Sequence, residues 1–207
     1  MSTTLIEQFR AGHSEAGNQL LKNYQPYLRL LARVQMESRF AAKFDAADLA
    51  QQTMIAAVRD FHSFRGNTDA EFAAWLRQIL AHVLAHEIRR YHGTQKRDLN
   101  REVSLDQTVS ETAQRLADIL PGTATSPTQA AVRNERQIEL ARALDQLPED
   151  YREVIVLRHL EGLSHEEIAA RLGRNPGAVR MLWVRALARL RAEMQQIEAE
   201  LATRAPG

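Results

Sequence analysis

The sequence predicts an all-α fold: two small helical domains joined by a flexible linker, the C-terminal one a helix-turn-helix. Three observations predict it. Apolar residues recur at helical spacing almost throughout, with few alternating β-branched runs. The composition turns small and polar at Leu120-Pro121-Gly122-Thr123-Ala124-Thr125-Ser126-Pro127, which offers too little apolar surface to offset the entropy of ordering. Beyond that stretch, capping residues and glycines divide the chain into short helices with a tight turn between the last two.

In order, Ser14 can cap a helix running to about Tyr24, and Pro26 can open the next. Asp45 can cap a helix through about Phe61. Thr68-Asp69-Ala70-Glu71 is a capping box, in which Thr and Glu reciprocally satisfy free backbone N–H groups. It leads into a long helix ending near Tyr91. The texture changes over residues 104–126, and Ser126-Pro127 can restart helix. Pro148 opens a helix that Gly162 closes. Ser164-His165-Glu166-Glu167 is a second capping box, Gly173 can supply a left-handed stop, and Asn175-Pro176 starts a final helix running past Leu190. The expected division is residues 1–93, a linker at 94–132, and 133–199.

Composition narrows the function. The chain has 207 residues, 27 basic against 26 acidic, and no cysteine. Disulfides, zinc–thiolate sites and thiol catalysis are therefore excluded. No apolar run approaches the roughly 20 residues that span a bilayer. The Met1-Ser2-Thr3-Thr4 start lacks the order of a signal peptide, so a cytoplasmic protein without membrane insertion is expected.

Charge is distributed unevenly. Residues 171–191 hold six arginines and no acid, whereas residues 149–167 hold six acids and two arginines, Arg152 and Arg158. On a helical wheel Val179, Trp183, Ala186 and Leu190 form an apolar stripe, opposite Gly177, Arg180, Met181, Val184 and Arg185. With Asn175 at the helix start, that outer face suits a major groove, where arginine serves phosphates and guanine edges. A solvated arginine face on an ordinary helix is the plainer alternative.

The N-terminal half is less explicit. Arg89, Arg90, Lys96, Arg97 and Arg101 follow a helix bearing Trp75 and Tyr91. Basic and aromatic groups together suit melted or single-stranded DNA, although a charged helix end reads the same way. His82 and His86 share a helix face, but no third ligand is placed beside them, and Arg90 stands where a His-Glu-x-x-His zinc motif needs histidine. No metal or other cofactor is expected. No Ser-His-Asp set, phosphate-cradling glycine loop or acid pair stands out, so the chain is not expected to be an enzyme.

Both halves, in this order, resemble the extracytoplasmic-function (ECF) sigma factors of the sigma-70 superfamily, over about residues 4–93 and 133–194. The C-terminal half carries Leu147-Pro148-Glu149-Asp150-Tyr151-Arg152-Glu153-Val154 and Glu161-Gly162-Leu163-Ser164-His165-Glu166-Glu167-Ile168-Ala169. The N-terminal half carries Asp45-Ala46-Ala47-Asp48-Leu49-Ala50-Gln51-Gln52-Thr53, Phe64-Arg65-Gly66 and Phe72-Ala73-Ala74-Trp75-Leu76.

The resemblance implies a factor that brings core RNA polymerase to promoter DNA. Asp45, Asp48, Leu49, Gln51 and Gln52 would dock on the clamp helices of the largest polymerase subunit. Ser63, Phe64, Arg65, Gly66 and Asn67, with Thr68 closing the loop, would receive a base flipped from the −10 element. His82, Arg89 and Arg90 would line the melted strand. The linker would thread toward the active-site and RNA-exit channels. The final helix, through Asn175, Gly177, Arg180, Met181, Val184 and Arg185, would read the −35 element. An anti-sigma factor is a further candidate partner.

The sequence also departs from the family pattern. His82 replaces a frequent Asn, Ala47 and Gln52 replace acids, and Met181 and Leu182 replace polar or basic residues. On the wheel, Asp45, Asp48, Leu49 and Gln52 share an outer face of their helix, with Ala50, Met54, Ala57 and Phe61 inward. Phosphorylation of Thr53 would restore charge beside Gln52. Two rivals remain: a stand-alone helix-turn-helix regulator, which would bind duplex tightly without polymerase, and a sigma mimic, whose polymerase binding would survive loss of the arginine face.

Overall fold

The computed structural model describes residues 4–36, 45–92, 99–119 and 129–204, and these contain helices and turns but no strand. The helices are α1 (Leu5–Arg10), α2 (Ser14–Gln35), α3 (Ala46–Asp60), α4 (Asp69–His92), α5 (Leu99–Ala117), α6 (Gln129–Gln146), α7 (Glu149–Ile155), α8 (His165–Leu172) and α9 (Pro176–Arg204). Two compact units result. One contains α1–α4 with α5 up to Gln114 and α6 up to Ile138; the other contains the remainder of α5 and α6 with α7–α9.

In the first unit, α1 begins with a capping box that the sequence reading passed over: Thr4 N donates to Glu7 and Glu7 N donates to Thr4 Oγ1. The Phe9 ring then lies on Gly17, where an added Cβ would stand 2.4 Å from it, so only glycine admits the ring. Pro26 does not divide α2; the helix runs through it unbroken. Tyr24, Tyr27, Leu28 and Leu31 are all buried along one side, and that burial outweighs the one backbone hydrogen bond that proline removes. Leu49, Phe72, Leu76 and Leu80 complete the core.

The connector differs from its expectation. Leu120-Pro121-Gly122-Thr123-Ala124-Thr125-Ser126-Pro127, Lys96 and Arg97 lie outside the described residues, but α5 stands within the range read as linker. Val109, Ala113 and Leu116 are buried at helical spacing. Gln35 donates to Thr112 Oγ1 at 2.7 Å, joining α5 to the end of α2. The apolar period was present in the sequence and was obscured by its polar neighbours.

In the second unit, Ser164 and Glu167 form the second capping box, and Gly173 stops α8 at φ +62°. Asn175 caps α9 by accepting from Gly177 N at 2.8 Å. The helix opened by Pro148 is not uniform: α7 widens into a π turn over Val156–Leu160 before Gly162, at φ +78°, ends it. Arg152 donates to the carbonyls of Leu144 and Leu147, fastening α7 under the last turn of α6. Val154, Ile155, Leu160, Ile168, Val179, Ala186 and Leu190 form the core.

Candidate nucleic-acid and polymerase interfaces

The outer face of α9 is as the wheel predicts. Val179, Ala186 and Leu190 are buried, while Gly177, Arg180, Met181, Val184 and Arg185 are exposed, Met181 at 54% and Val184 at 49%. Two large apolar side chains held in water beside two arginines make a surface suited to thymine methyls and phosphates. Trp183 is only half-buried, its indole N–H donating to His159 Nε2 at 3.1 Å.

The structure also assigns the acids upstream. Arg171 pairs with Glu161 at 2.7 Å and Arg174 with Asp150 at 2.5 Å. Arg180 approaches Glu166 at 3.7 Å, whereas Arg189 pairs with Glu193 on its own helix. The segregated charge therefore serves two purposes: Arg171 and Arg174 tie the turn to its neighbours, and Arg180 and Arg185 face outward.

The loop at residues 63–68 is built around an aromatic cluster. Phe64 is buried, 5.3 Å from Phe72 and 5.1 Å from Trp75 between ring centroids. This corrects its assignment as a base-contacting residue, because Phe64 forms the floor of the loop. Ser63, Arg65 and Asn67 remain exposed. A Cβ at Gly66 would come within 2.6 Å of the Phe64 ring, so the loop needs glycine there. The Glu71 carboxylate accepts from Asn67 N, Thr68 N and Thr68 Oγ1. These bonds, that of the Asn67 backbone first, hold its pKa below the usual 4.5. Arg10, absent from the sequence assignment, donates to Asn67 Oδ1 and Gly66 O.

His82, with Arg89, lines a groove between α3 and α4, facing Gln52, Ile55 and Arg59. Two groups of residues assigned to different partners thus meet in one depression. Arg90 is exposed and approaches Glu87 at 3.5 Å. Among the described residues no cluster of three or more His, Asp or Glu is placed to hold a metal, and no helix is long and apolar enough to cross a membrane.

On α3, Asp45, Asp48, Gln51 and Gln52 are exposed. Asp45 also caps the helix, accepting from Ala47 N at 2.9 Å. Leu49 is buried, which corrects its place among the docking residues. The inward face is Leu49, Ala50, Thr53 and Ala57, turned from the one the wheel suggested. Thr53 has no exposed surface and donates to Leu49 O at 2.8 Å, so the phosphorylation switch is overturned. Ile55 and Val58, missed in the sequence, are 61% and 51% exposed. Their signal was available: both are large apolar residues off the buried stripe.

Comparison with known proteins supplies the context. Residues 21–94 match the family described as Sigma-70 region 2, and residues 137–190 match Sigma-70, region 4. The chain is 32% identical over 178 residues to RNA polymerase sigma-H factor of Pseudomonas aeruginosa, covering 85% of this chain and 84% of that protein. It is also 32% identical over 178 residues to the ECF RNA polymerase sigma-E factors of Salmonella typhimurium and Escherichia coli, covering 85% of both chains in each case.

Proposed function

Because this chain belongs to the ECF sigma factors of the sigma-70 family, we propose that its two units divide promoter recognition between them while polymerase holds them in place. The protein directs RNA polymerase to specific promoters and starts transcription. It acts as a DNA-binding initiation factor without catalytic groups of its own, inside the cell where polymerase and DNA are. Residues 1–93 form the −10 and polymerase-docking domain, 94–132 the connector, and 133–199 the −35 domain.

The observation that carries this reading is the outer face of α9, where Arg180, Met181, Val184 and Arg185 stand exposed over a buried Val179–Ala186–Leu190 stripe. Arginine forks and apolar tips on one helix face can distinguish base pairs in a major groove. The loop at 63–68 takes the flipped −10 base through Ser63, Arg65, Gly66 and Asn67 over the Phe64 floor, and His82, Arg89 and Arg90 track the melted strand. On α3, Asp45, Asp48, Gln51 and Gln52 face the clamp helices of the largest subunit, with Ile55 and Val58 supplying apolar contact. An anti-sigma factor that covers this same face would block docking.

The test is transcription in vitro with purified core polymerase on a fragmented genomic library. Initiation at a shared −35/−10 pattern only when this protein is added supports the reading. Tight sequence-specific duplex binding by the free protein, with no initiation, would instead support a stand-alone regulator.

A further inference from the structure

Trp183 sits between two imidazoles on the inner side of α9. Its indole N–H donates to His159 Nε2 at 3.1 Å, and the two rings are nearly parallel at 22°. The His165 ring meets the indole edge-on, with centroids 5.4 Å apart. His159 belongs to the π turn after α7, and His165 is the first residue of α8. One indole thus joins the three segments of the helix-turn-helix, and two titratable rings hold it.

The bond to Trp183 fixes the state of His159. A ring nitrogen that accepts a hydrogen bond carries no proton, so the contact exists only while His159 is neutral. Protonation would place two N–H groups head to head. His165 is bound to the same condition for a different reason. Its Nε2 is buried and has no hydrogen-bond partner, so a proton there would leave a cationic N–H unsatisfied.

The surroundings oppose charge on both rings. Burial, then Arg158, lowers the pKa of His159 below 6.5. Burial lowers that of His165, followed by Arg158 on the π turn and Arg180 on α9; only Glu166 pulls the other way. The free N–H groups at the start of α8 also disfavour a cation at His165. The carbonyl end of the π turn favours one at His159, but does not overcome burial and Arg158.

We propose that His159 and His165 are positioning residues for α9, and that mild acid, by protonating them, releases Trp183 and weakens −35 recognition. This rests on α9 being the −35 helix. Trp183 lies next to Val184 and two residues from Arg185, so freeing the indole allows the reading face to rotate or fray. The folded protein favours neutral rings, so the lock is complete above pH 6.5 and is lost as pH falls through the folded-state value. Sigma-dependent transcription would then fall with cytoplasmic acidification at promoters that need their −35 element.

Two measurements on the full chain test this. The first follows the two indole N–H signals by NMR, assigned with Trp75→Phe, from about pH 8 to about pH 5, the range in which histidines change charge. The Trp183 signal should move with a single transition that is absent in the His159→Gln, His165→Gln double variant. Glutamine keeps an acceptor for the indole and does not titrate. The second measures holoenzyme binding to a promoter carrying its −35 element across the same range. Wild type should bind progressively more weakly toward the acid end, by up to about tenfold for each pH unit below the folded-state value of one linked proton, and the double variant should bind nearly evenly. A Trp183 signal that does not titrate, or equal pH profiles for wild type and double variant, overturns the proposal. Titration of Trp183 with binding indifferent to the −35 sequence at every pH overturns its premise that α9 reads DNA.

Discussion

Arg10 donates to Asn67 Oδ1 at 2.7 Å and to Gly66 O at 2.6 Å, so a side chain from α1 spans the loop that connects α3 to α4. The bonds are charge-assisted but exposed, and together they contribute about 1 kcal/mol. Arg10→Met keeps most of the stem and removes the fork. It should loosen the loop and lower open-complex formation about fivefold, as expected for about 1 kcal/mol, while −35 binding is unchanged. Permanganate reactivity of the −10 thymines reads the first, and footprinting of the closed complex the second. An unaltered open complex would mean that the loop shape does not depend on α1.

The arginines of the second unit should separate by role. Arg180→Ala and Arg185→Ala should each cost about 1–3 kcal/mol of promoter affinity if they contact bases, with no change in melting temperature. Arg171→Ala and Arg174→Ala should lower the melting temperature slightly, because they lose only exposed pairs with Glu161 and Asp150. Glu166→Gln removes the acid 3.7 Å from Arg180 and should strengthen DNA binding, most at low salt. Quantitative binding of holoenzyme to one promoter, with thermal melts of each variant, checks the division.

Those arginines show how far the sequence could be read. The outer face of α9 was legible because helical period and capping signals fix which side of a helix is buried. The partners of Arg171 and Arg174 were not, since Glu161 and Asp150 reach them only through tertiary packing. The same limit explains α3. A wheel gives relative angles but no absolute direction, and Leu49 was turned outward by about one position. Phe64 was read as a stacking residue because aromatic rings serve bases and cores alike; the ring cluster with Phe72 and Trp75 decides between them.

Thr53 gives a prediction about stability. Its hydroxyl is buried and satisfied by Leu49 O, so Thr53→Glu would bury a carboxylate without a partner. That variant should lose about 3 kcal/mol or more, and a thermal or denaturant melt would show it. A Thr53→Glu protein as stable as wild type would contradict the packing of α3 against the core.

The capping boxes predict a second acid transition, distinct from that of the histidines. Hydrogen bonds from Asn67 and Thr68 hold Glu71 below the usual 4.5, and those from Ser164 hold Glu167 below it. A carboxylate with a depressed folded pKa adds stability above the unfolded value and loses it as pH falls through the folded one. Helix content followed by circular dichroism should therefore fall below about pH 4.5. In a Glu71→Gln, Glu167→Gln variant this step should shrink while the Trp183 transition stays in place.

The outer face of α3, proposed above to dock on polymerase, joins two different forces. Asp45, Asp48 and Gln52 point into water, and beside them Ile55 and Val58 are exposed. If the clamp surface is basic, acids on α3 accelerate and hold the complex in a salt-sensitive way, whereas Ile55 and Val58 contribute a part that salt does not screen. Gln52→Glu should then raise affinity for core polymerase, mainly at low salt. The gain is limited from within, because Gln52 lines the same groove as Arg59 and Arg89, whose positive charges partly offset a new carboxylate even though Arg59 is itself paired with Asp60. Adding Arg59→Gln to Gln52→Glu should release that charge and increase the gain. Ile55→Ala with Val58→Ala should weaken binding about equally at all salt concentrations. A competition titration for core enzyme across salt separates the two forces. Parallel salt slopes for wild type and Gln52→Glu would remove the electrostatic part, and undiminished binding by the double alanine variant would remove the apolar one.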